Sequence, residues 1–259
     1  LSAKIKGAEN SQSQFAINPK NGDIYVFDNA GGGIIKLDAR TGITSLFLAM
    51  LPQTTSSVTN LSASGGTLSS SARLWTAESS NLIFDGNGRL YVTQYKNPAS
   101  GGAGTSIWQF DLNQSPVTYR LYAGGATGLN WSSDQSGGLT PTTALVQPGP
   151  IRMDENNSLY FLTRCTLDDA YQPTYGEYRP LRILKLTQNP DGSPGTVSAF
   201  AGDCTDGTPT DSADALHTPL THTTYSTLFR FAVWNQGDAL YYSPYNGSGK
   251  ISKIISGKS

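Results

Sequence analysis

The sequence predicts an all-β chain, a β-propeller of four blades, each built from four antiparallel strands. Three observations lead there. The stretch Asn21-Gly22-Asp23-Ile24-Tyr25-Val26-Phe27-Asp28 returns as Gly86-Asn87-Gly88-Arg89-Leu90-Tyr91-Val92-Thr93, as Asn156-Asn157-Ser158-Leu159-Tyr160-Phe161-Leu162-Thr163 and as Gln236-Gly237-Asp238-Ala239-Leu240-Tyr241-Tyr242-Ser243. The anchors Tyr25, Tyr91, Tyr160 and Tyr241 give intervals of 66, 69 and 81 residues, the repeat scale of propeller blades. Within each repeat, short β-prone runs alternate with Asn-Gly, Gly-Gly-Gly and Thr-Gly turns, where Gly and Asn tolerate positive φ.

In the first repeat the strands are Phe15 to Asn18 (a), Ile24 to Asp28 (b), Ile34 to Asp38 (c) and Ile43 to Ala49 (d). The second reads Leu82 to Asp85, Leu90 to Gln94, Ile107 to Leu112 and Val117 to Ala123. The third reads Ile151 to Asp154, Leu159 to Thr163, Leu181 to Leu186 and Val197 to Ala201. The fourth reads Phe229 to Trp234, Leu240 to Ser243 and Lys250 to Ile255, one strand short. Leu1 to Gly7 supplies the missing strand d, closing the ring and removing two unpaired edges. The blades thus span about 14–50, 81–124, 150–202 and 228–259 plus 1–8, in one domain of 259 residues. The rival reading is an incomplete six-bladed ring.

Composition narrows the function. A net charge of -1 offers no electrostatic footprint for nucleic acid. No apolar run is long enough to span a bilayer, so membrane insertion is not expected. Charged residues make up 14% of the chain, which leaves a surface polar mainly through Ser, Thr, Asn and Gly.

A second repeated element precedes the inner strands: Ser71-Ala72-Arg73-Leu74-Trp75-Thr76-Ala77, Thr143-Ala144-Leu145-Val146-Gln147-Pro148 and Asp214-Ala215-Leu216-His217-Thr218-Pro219. With the strand-d exits Leu121-Tyr122-Ala123-Gly124-Gly125 and Phe200-Ala201-Gly202-Asp203, the chain resembles the NHL-repeat β-propeller family of bacterial, extracytoplasmic type. That family couples a Leu-x-x-Pro step to a strand ending in Asp, then a Leu-Tyr-Val strand, then a strand such as Ile-x-Lys. Six blades are usual there, against the four counted here. The resemblance implies a binding platform for proteins, RNA or glycans, although some relatives of similar shape are metal-dependent lyases or lactonases; fold alone does not choose.

Propeller geometry puts the b–c and d–a connections on one face. Here they are long (Met50 to Asn81, Tyr95 to Ser106, Gly124 to Pro150, Arg164 to Pro180, Gly202 to Leu228), whereas a–b and c–d turns are short. Long connections are where binding residues concentrate. The loop 165–179 carries Tyr171, Tyr175 and Tyr178, flat amphipathic groups suited to sugar rings or protein partners. Trp131, Trp75 and Tyr95 are expected on the same face. The alternative is that these aromatics pack the loops onto the blades. Cys165 and Cys204 fall on that face of the third blade, either as a disulfide, which would imply an oxidising compartment, or as two separate thiols. His217 and His222 lie near Asp214 and other carboxylates but match no metal-binding spacing. Arg152 and Arg230 sit on inner strands, on the same side. No Gly-x-Ser-x-Gly elbow and no Gly-rich phosphate loop is present. The expectation is therefore a non-enzymatic recognition module with no cofactor. It would be extracellular, at the cell surface or periplasmic, and bind a cell-surface glycan or protein; oligomerisation is compatible with it. The competing readings are a metal-dependent hydrolase or lyase centred on the two histidines, and an assembly domain of a longer surface protein.

Overall fold

A computed structural model describes residues 14–28, 33–51, 61–62, 64–75, 81–95, 105–124, 140–141, 151–164, 179–202, 215–217, 220–222, 230–234, 239–243 and 252–255. These residues are almost entirely β, in four sheets of antiparallel meanders taken up in chain order, the first extended by one short parallel strand. The chain forms two compact units, Leu1–Tyr122 and Ala123–Ser259.

The first unit holds two sheets. The first sheet is the meander β1 (Phe15–Ile17), β2 (Ile24–Asp28), β3 (Gly33–Leu37) and β4 (Thr44–Leu51). The connection that follows contributes β5 (Gly66–Thr67) and β6 (Arg73–Trp75). The second sheet is β7 (Leu82–Phe84), β8 (Arg89–Tyr95), β9 (Thr105–Asp111) and β10 (Thr118–Gly124). Each predicted strand of these two repeats is present, with ends shifted by one or two residues.

The d–a connection does more than link the sheets. Its β6 adds to β4 in parallel, with Ala49 opposite Arg73 and Leu51 opposite Trp75. Its β5 adds to β10, with Thr118 opposite Thr67. One segment thereby covers the outer edge of both sheets, which otherwise present unpaired backbone groups. Ala72 and Leu74 of the repeated Ala-x-Leu element are buried in the core, so this element braces the sheets. Sequence alone does not show these pairings, because segments of two or three residues carry no period for it to reveal.

The second unit repeats the plan with β11 (Arg152–Met153), β12 (Leu159–Arg164), β13 (Arg179–Gln188) and β14 (Pro194–Ala201). A 3-10 turn (Ala215–His217) and β15 (Leu220–His222) follow. The last sheet is β16 (Arg230–Trp234), β17 (Ala239–Ser243) and β18 (Ser252–Ile255). Residues 1–13, to which the closing strand was assigned, lie outside the described residues.

The sheets pack by a rule that recurs in both units. Strand alternation gives each of the first three sheets one face bearing its anchor tyrosine and one face without it. In the first sheet the tyrosine-bearing face carries Ala16, Tyr25, Phe27, Ile34 and Leu48, and it shares a core with Leu82, Leu90, Val92, Trp108 and Phe110 from the tyrosine-free face of the second. Edge-on aromatic contacts tie them together, Tyr25 with Phe84 at 5.2 Å and Phe47 with Phe110 at 5.8 Å between ring centres. In the second unit Tyr160, Leu162, Ile183 and Phe200 of the third sheet meet Phe231 and Val233 of the fourth in the same sense. Inner strands lie side by side, β1 beside β7 and β11 beside β16.

Candidate functional site

The two ends of each of the first three sheets differ. At the a–b and c–d end the turns are short and closed by carboxylates. Asp85 ends strand a of the second sheet; its Oδ1 accepts from the Asn87 and Arg89 amides at 2.9 and 2.8 Å, and its Oδ2 accepts from the Tyr91 hydroxyl at 3.2 Å. Asp154 does the same in the third sheet, accepting from the Asn156 and Ser158 amides at 2.9 and 2.8 Å and from the Tyr160 hydroxyl at 3.0 Å. Gly88, at φ 80°, and Asn157, at φ 61°, hold the corresponding left-handed position of the two turns.

A cation completes each clasp. Lys185 lies opposite Tyr160 on strand c, with its ammonium 3.7 Å from Asp154 and 5.5 Å above the Tyr160 ring centre. In the first sheet Lys36 is opposite Tyr25 and pairs with Asp23 at 2.7 Å. In the second sheet strand c offers Gln109, whose Nε2 donates to the Tyr91 hydroxyl at 2.7 Å. There the charge comes from Arg89 on strand b, 3.4 Å from Asp85 and 3.8 Å from Asp111. Burial, with the neighbouring Asp23 charge, pushes the Tyr25 phenol up to about 12. Burial also pushes the Tyr91 phenol up, with the nearby Tyr122 and Asp85 adding to it. The carboxylates and phenols are buried and the cations partly so, and the contacts join strands and turns of one sheet, so their work is to hold each sheet together.

The opposite end carries the long connections, and here the structure supplies their roots. Tyr95 closes β8 opposite Thr105, at the mouth of the second b–c connection. Trp75 closes β6 opposite Leu51, at the corresponding end of the first sheet. For both residues the backbone alone is described.

In the third sheet strand c runs past its partner. Arg164 lies opposite Leu181, and β13 continues outward to Arg179, where β15 takes over as its neighbour. Arg179 is opposite His222 and Leu181 is opposite Leu220. The d–a connection therefore grips the root of the tyrosine-bearing b–c loop through backbone pairing. Leu220 is fully buried and Ala215 is buried beside it; the Gly202 amide donates to the Ala215 carbonyl at 2.9 Å. His217 ends the 3-10 turn and His222 ends β15, so both are brought to this end of the sheet.

Tyr171, Tyr175, Tyr178, Trp131, Cys165, Cys204 and Asp214 lie outside the described residues, although Cys165 and Tyr178 directly adjoin Arg164 and Arg179. Arg152 donates to the Ile151 carbonyl at 2.7 Å and stacks 5.9 Å over the Phe231 ring centre of the next sheet. Arg230 lies opposite Ser243. Among the described residues, no group of three or more His, Cys, Asp and Glu is placed to hold a metal ion. Among them, too, no helix is long and apolar enough to cross a membrane, which says nothing of strands.

The chain is similar in fold to a protein of unknown function from Bacteroides thetaiotaomicron, with a TM-score of 0.50 and 14% identity over 95% of this chain and 47% of that one. An auxiliary nutrient binding protein from Bacteroides ovatus matches with a TM-score of 0.43 and 15% identity over 90% of this chain and 46% of that one. A gluconolactonase from Xanthomonas campestris matches with a TM-score of 0.36 and 12% identity over 95% and 76% of the two chains. The chain thus spans about half the length of the two Bacteroides proteins. No family model matches it, and no curated protein does.

Proposed function

We propose that this chain is a β-propeller-type recognition module, secreted or surface-displayed, that binds a cell-surface glycan or a protein without catalysing a reaction. The observation that carries the reading is the asymmetry of the sheet ends. One end is closed by carboxylate-capped turns, while the other gathers the long connections and anchors their roots to the sheets. Rooting a loop on rigid strands lowers the ordering cost of a binding surface. Meander sheets packed face to face with inner strands side by side support the propeller architecture, and the NHL-like motifs agree with it.

The contacts assigned to the ligand are Tyr171, Tyr175, Tyr178, Trp131, Trp75 and Tyr95. The test is a glycan and cell-envelope binding screen of the chain beside a Tyr171→Ala/Tyr175→Ala/Tyr178→Ala variant. Loss of one specific binding signal, with an unchanged melting temperature, is the expected result. Binding that survives the triple substitution would remove the tyrosine loop from the site, and silence across all glycans would end the carbohydrate reading.

A further inference from the structure

Asparagine followed by glycine is chemically self-reactive, because glycine has no side chain to keep its amide nitrogen away from the asparagine carboxamide. The chain has three such pairs, Asn21-Gly22, Asn87-Gly88 and Asn246-Gly247, the last of them outside the described residues. The other two occupy the a–b turns of the first and second sheets, and both asparagines are exposed. The two turns treat them differently.

In the first turn the Asn21 carboxamide is held at both ends. Its Oδ1 accepts from the Asp23 amide at 3.0 Å and its Nδ2 donates to the Asp23 carboxylate at 2.9 Å. Among the described residues nothing bonds the Asn87 carboxamide. The hydrogen bonds of Asn87 are made by its backbone: the amide donates to Asp85 at 2.9 Å and the carbonyl accepts from Asn113 Nδ2 at 3.0 Å. The second of these bears on reactivity. The Asn87 carbonyl and the Gly88 amide belong to one peptide unit, so a donor on that oxygen stabilises the negative charge left when the Gly88 nitrogen gives up its proton. Among the described residues no donor reaches the Asn21 carbonyl. Another restraint is common to both turns: the Gly88 amide donates to the Asp85 carbonyl at 3.1 Å, and the Gly22 amide to the Asn18 carbonyl at 2.9 Å.

The geometry points to self-modification at Asn87-Gly88, where the folded chain converts Asn87 to aspartate and isoaspartate. The Gly88 nitrogen loses its proton to solvent base and bonds to Asn87 Cγ; the Cγ–Nδ2 bond breaks and ammonia leaves, giving a succinimide. Water then opens the ring at Cγ to yield aspartate, or at the main-chain carbonyl carbon to yield isoaspartate. One water is taken up and one ammonia released, with no oxidant or reductant. The product carries a new negative charge in the turn that Asp85 caps. Isoaspartate also lengthens the main chain by one carbon where there is no slack, since a Cβ on Gly88 would come within 2.8 Å of Lys20 Cγ and 3.1 Å of Asn18 Oδ1. Modification therefore loosens the Asp85 clasp with time, independently of what the long connections bind.

Peptide mapping by mass spectrometry tests this after incubation in mildly alkaline buffer made with heavy-oxygen water, which labels only residues converted during the incubation. In the folded chain Asn87 is expected to convert at least about tenfold faster than Asn21, which must shed two hydrogen bonds, one of them to a carboxylate. In denaturant the two rates should draw level. Asn113→Ala should slow Asn87 by about fivefold, the worth of one net hydrogen bond, and leave Asn21 unchanged; a variant that merely loosened the fold would speed both. Ion exchange separates the modified chain, which should melt below the unmodified one. Asn21 converting as fast as Asn87 in the folded chain, a lead for Asn87 that persists in denaturant, or an Asn87 rate that Asn113→Ala leaves unchanged or raises overturns the proposal. Equal melting of the modified and unmodified chains overturns its effect on the clasp.

Discussion

Asp154 is the group whose removal should be felt most sharply, and the size of the effect follows from its surroundings. Its side chain is 1% exposed and accepts from two turn amides and the buried Tyr160 hydroxyl, with the Lys185 ammonium alongside. Asp154→Ala removes an ionised acceptor and leaves a buried hydroxyl, a buried Ser158 amide and a half-buried ammonium without it. Breaking a buried, charge-assisted arrangement from one side costs about 3–5 kcal/mol. For a chain of this size that lowers the melting temperature by roughly 10 °C. Asp191→Ala is the comparison, because that carboxylate accepts from the Ser193 amide at 2.8 Å and its hydroxyl at 2.6 Å in an exposed c–d turn. It should cost under about 1 kcal/mol. Calorimetry on both variants, with Tyr160→Phe and the Asp154→Ala/Tyr160→Phe double variant, completes the cycle. Tyr160→Phe should cost about 1 kcal/mol alone and almost nothing once Asp154 is gone. Equal losses in Asp154→Ala and Asp191→Ala would refute the view that the clasp, rather than turn capping alone, holds the blade.

Four other outcomes are expected. Burial opposes the Asp23 charge, but the Lys36 ammonium and the Ala39 amide outweigh it and hold this carboxyl below the usual range. Its contribution to stability is therefore complete above the ordinary carboxylate value of about 4 and is lost as pH falls through the lower folded value; denaturant melts at acid pH should show a steeper fall for the unmodified chain than for Asp23→Asn. Tyr25 has the opposite sign: its folded-state value is raised, so its contribution is present below about pH 10 and is lost as pH climbs toward about 12. An alkaline absorbance titration should lose a late phenolate step in Tyr25→Phe. Leu220→Ala should cost about 2–5 kcal/mol by opening a cavity, and by loosening the root of the 165–178 connection it should weaken ligand binding more than its fold stability alone accounts for at low temperature. Metal analysis of the purified chain should find no stoichiometric zinc or calcium; a stoichiometric ion would favour the hydrolase reading built on His217 and His222.

Strands with a buried face were readable because alternation and turn chemistry agree along them. Ile24 to Asp28 and Leu159 to Thr163 end in the structure within a residue of where the pattern places them. The segments β5, β6 and β15 were not readable. Gly66-Thr67, Arg73-Leu74-Trp75 and Leu220-Thr221-His222 are too short to display a period, and they pair with strand edges whose positions depend on the rest of the fold. The clasps were half visible. The Asp stands six residues before the anchor tyrosine in the second and third sheets but two before it in the first, and the cation comes from a different place in the second, so the sequence reads first as turn punctuation and β propensity and only the side-chain distances reveal one connected arrangement. Of the binding site, the sequence offered the tyrosine loop, and the structure adds the grip of β15 on its base. The aromatic tips themselves rest on composition, since long polar connections leave no periodic trace of where their side chains point.

The second sheet draws its positive charge from Arg89 on strand b, whereas the first and third draw theirs from lysines on strand c. This sets the smallest part that can be exchanged among the repeats. A chimaera that carried the third sheet's strand c into the second would set a lysine beside Arg89 against a single turn carboxylate. The reverse exchange would leave Asp154 facing a glutamine, with no cation at all. Shuffling single strands should therefore yield poorly folded chains, while whole sheets, each electrically complete, should transplant. Recombination breakpoints that persist among repeats of this kind, in nature or in a library, belong in the long connections rather than between strands.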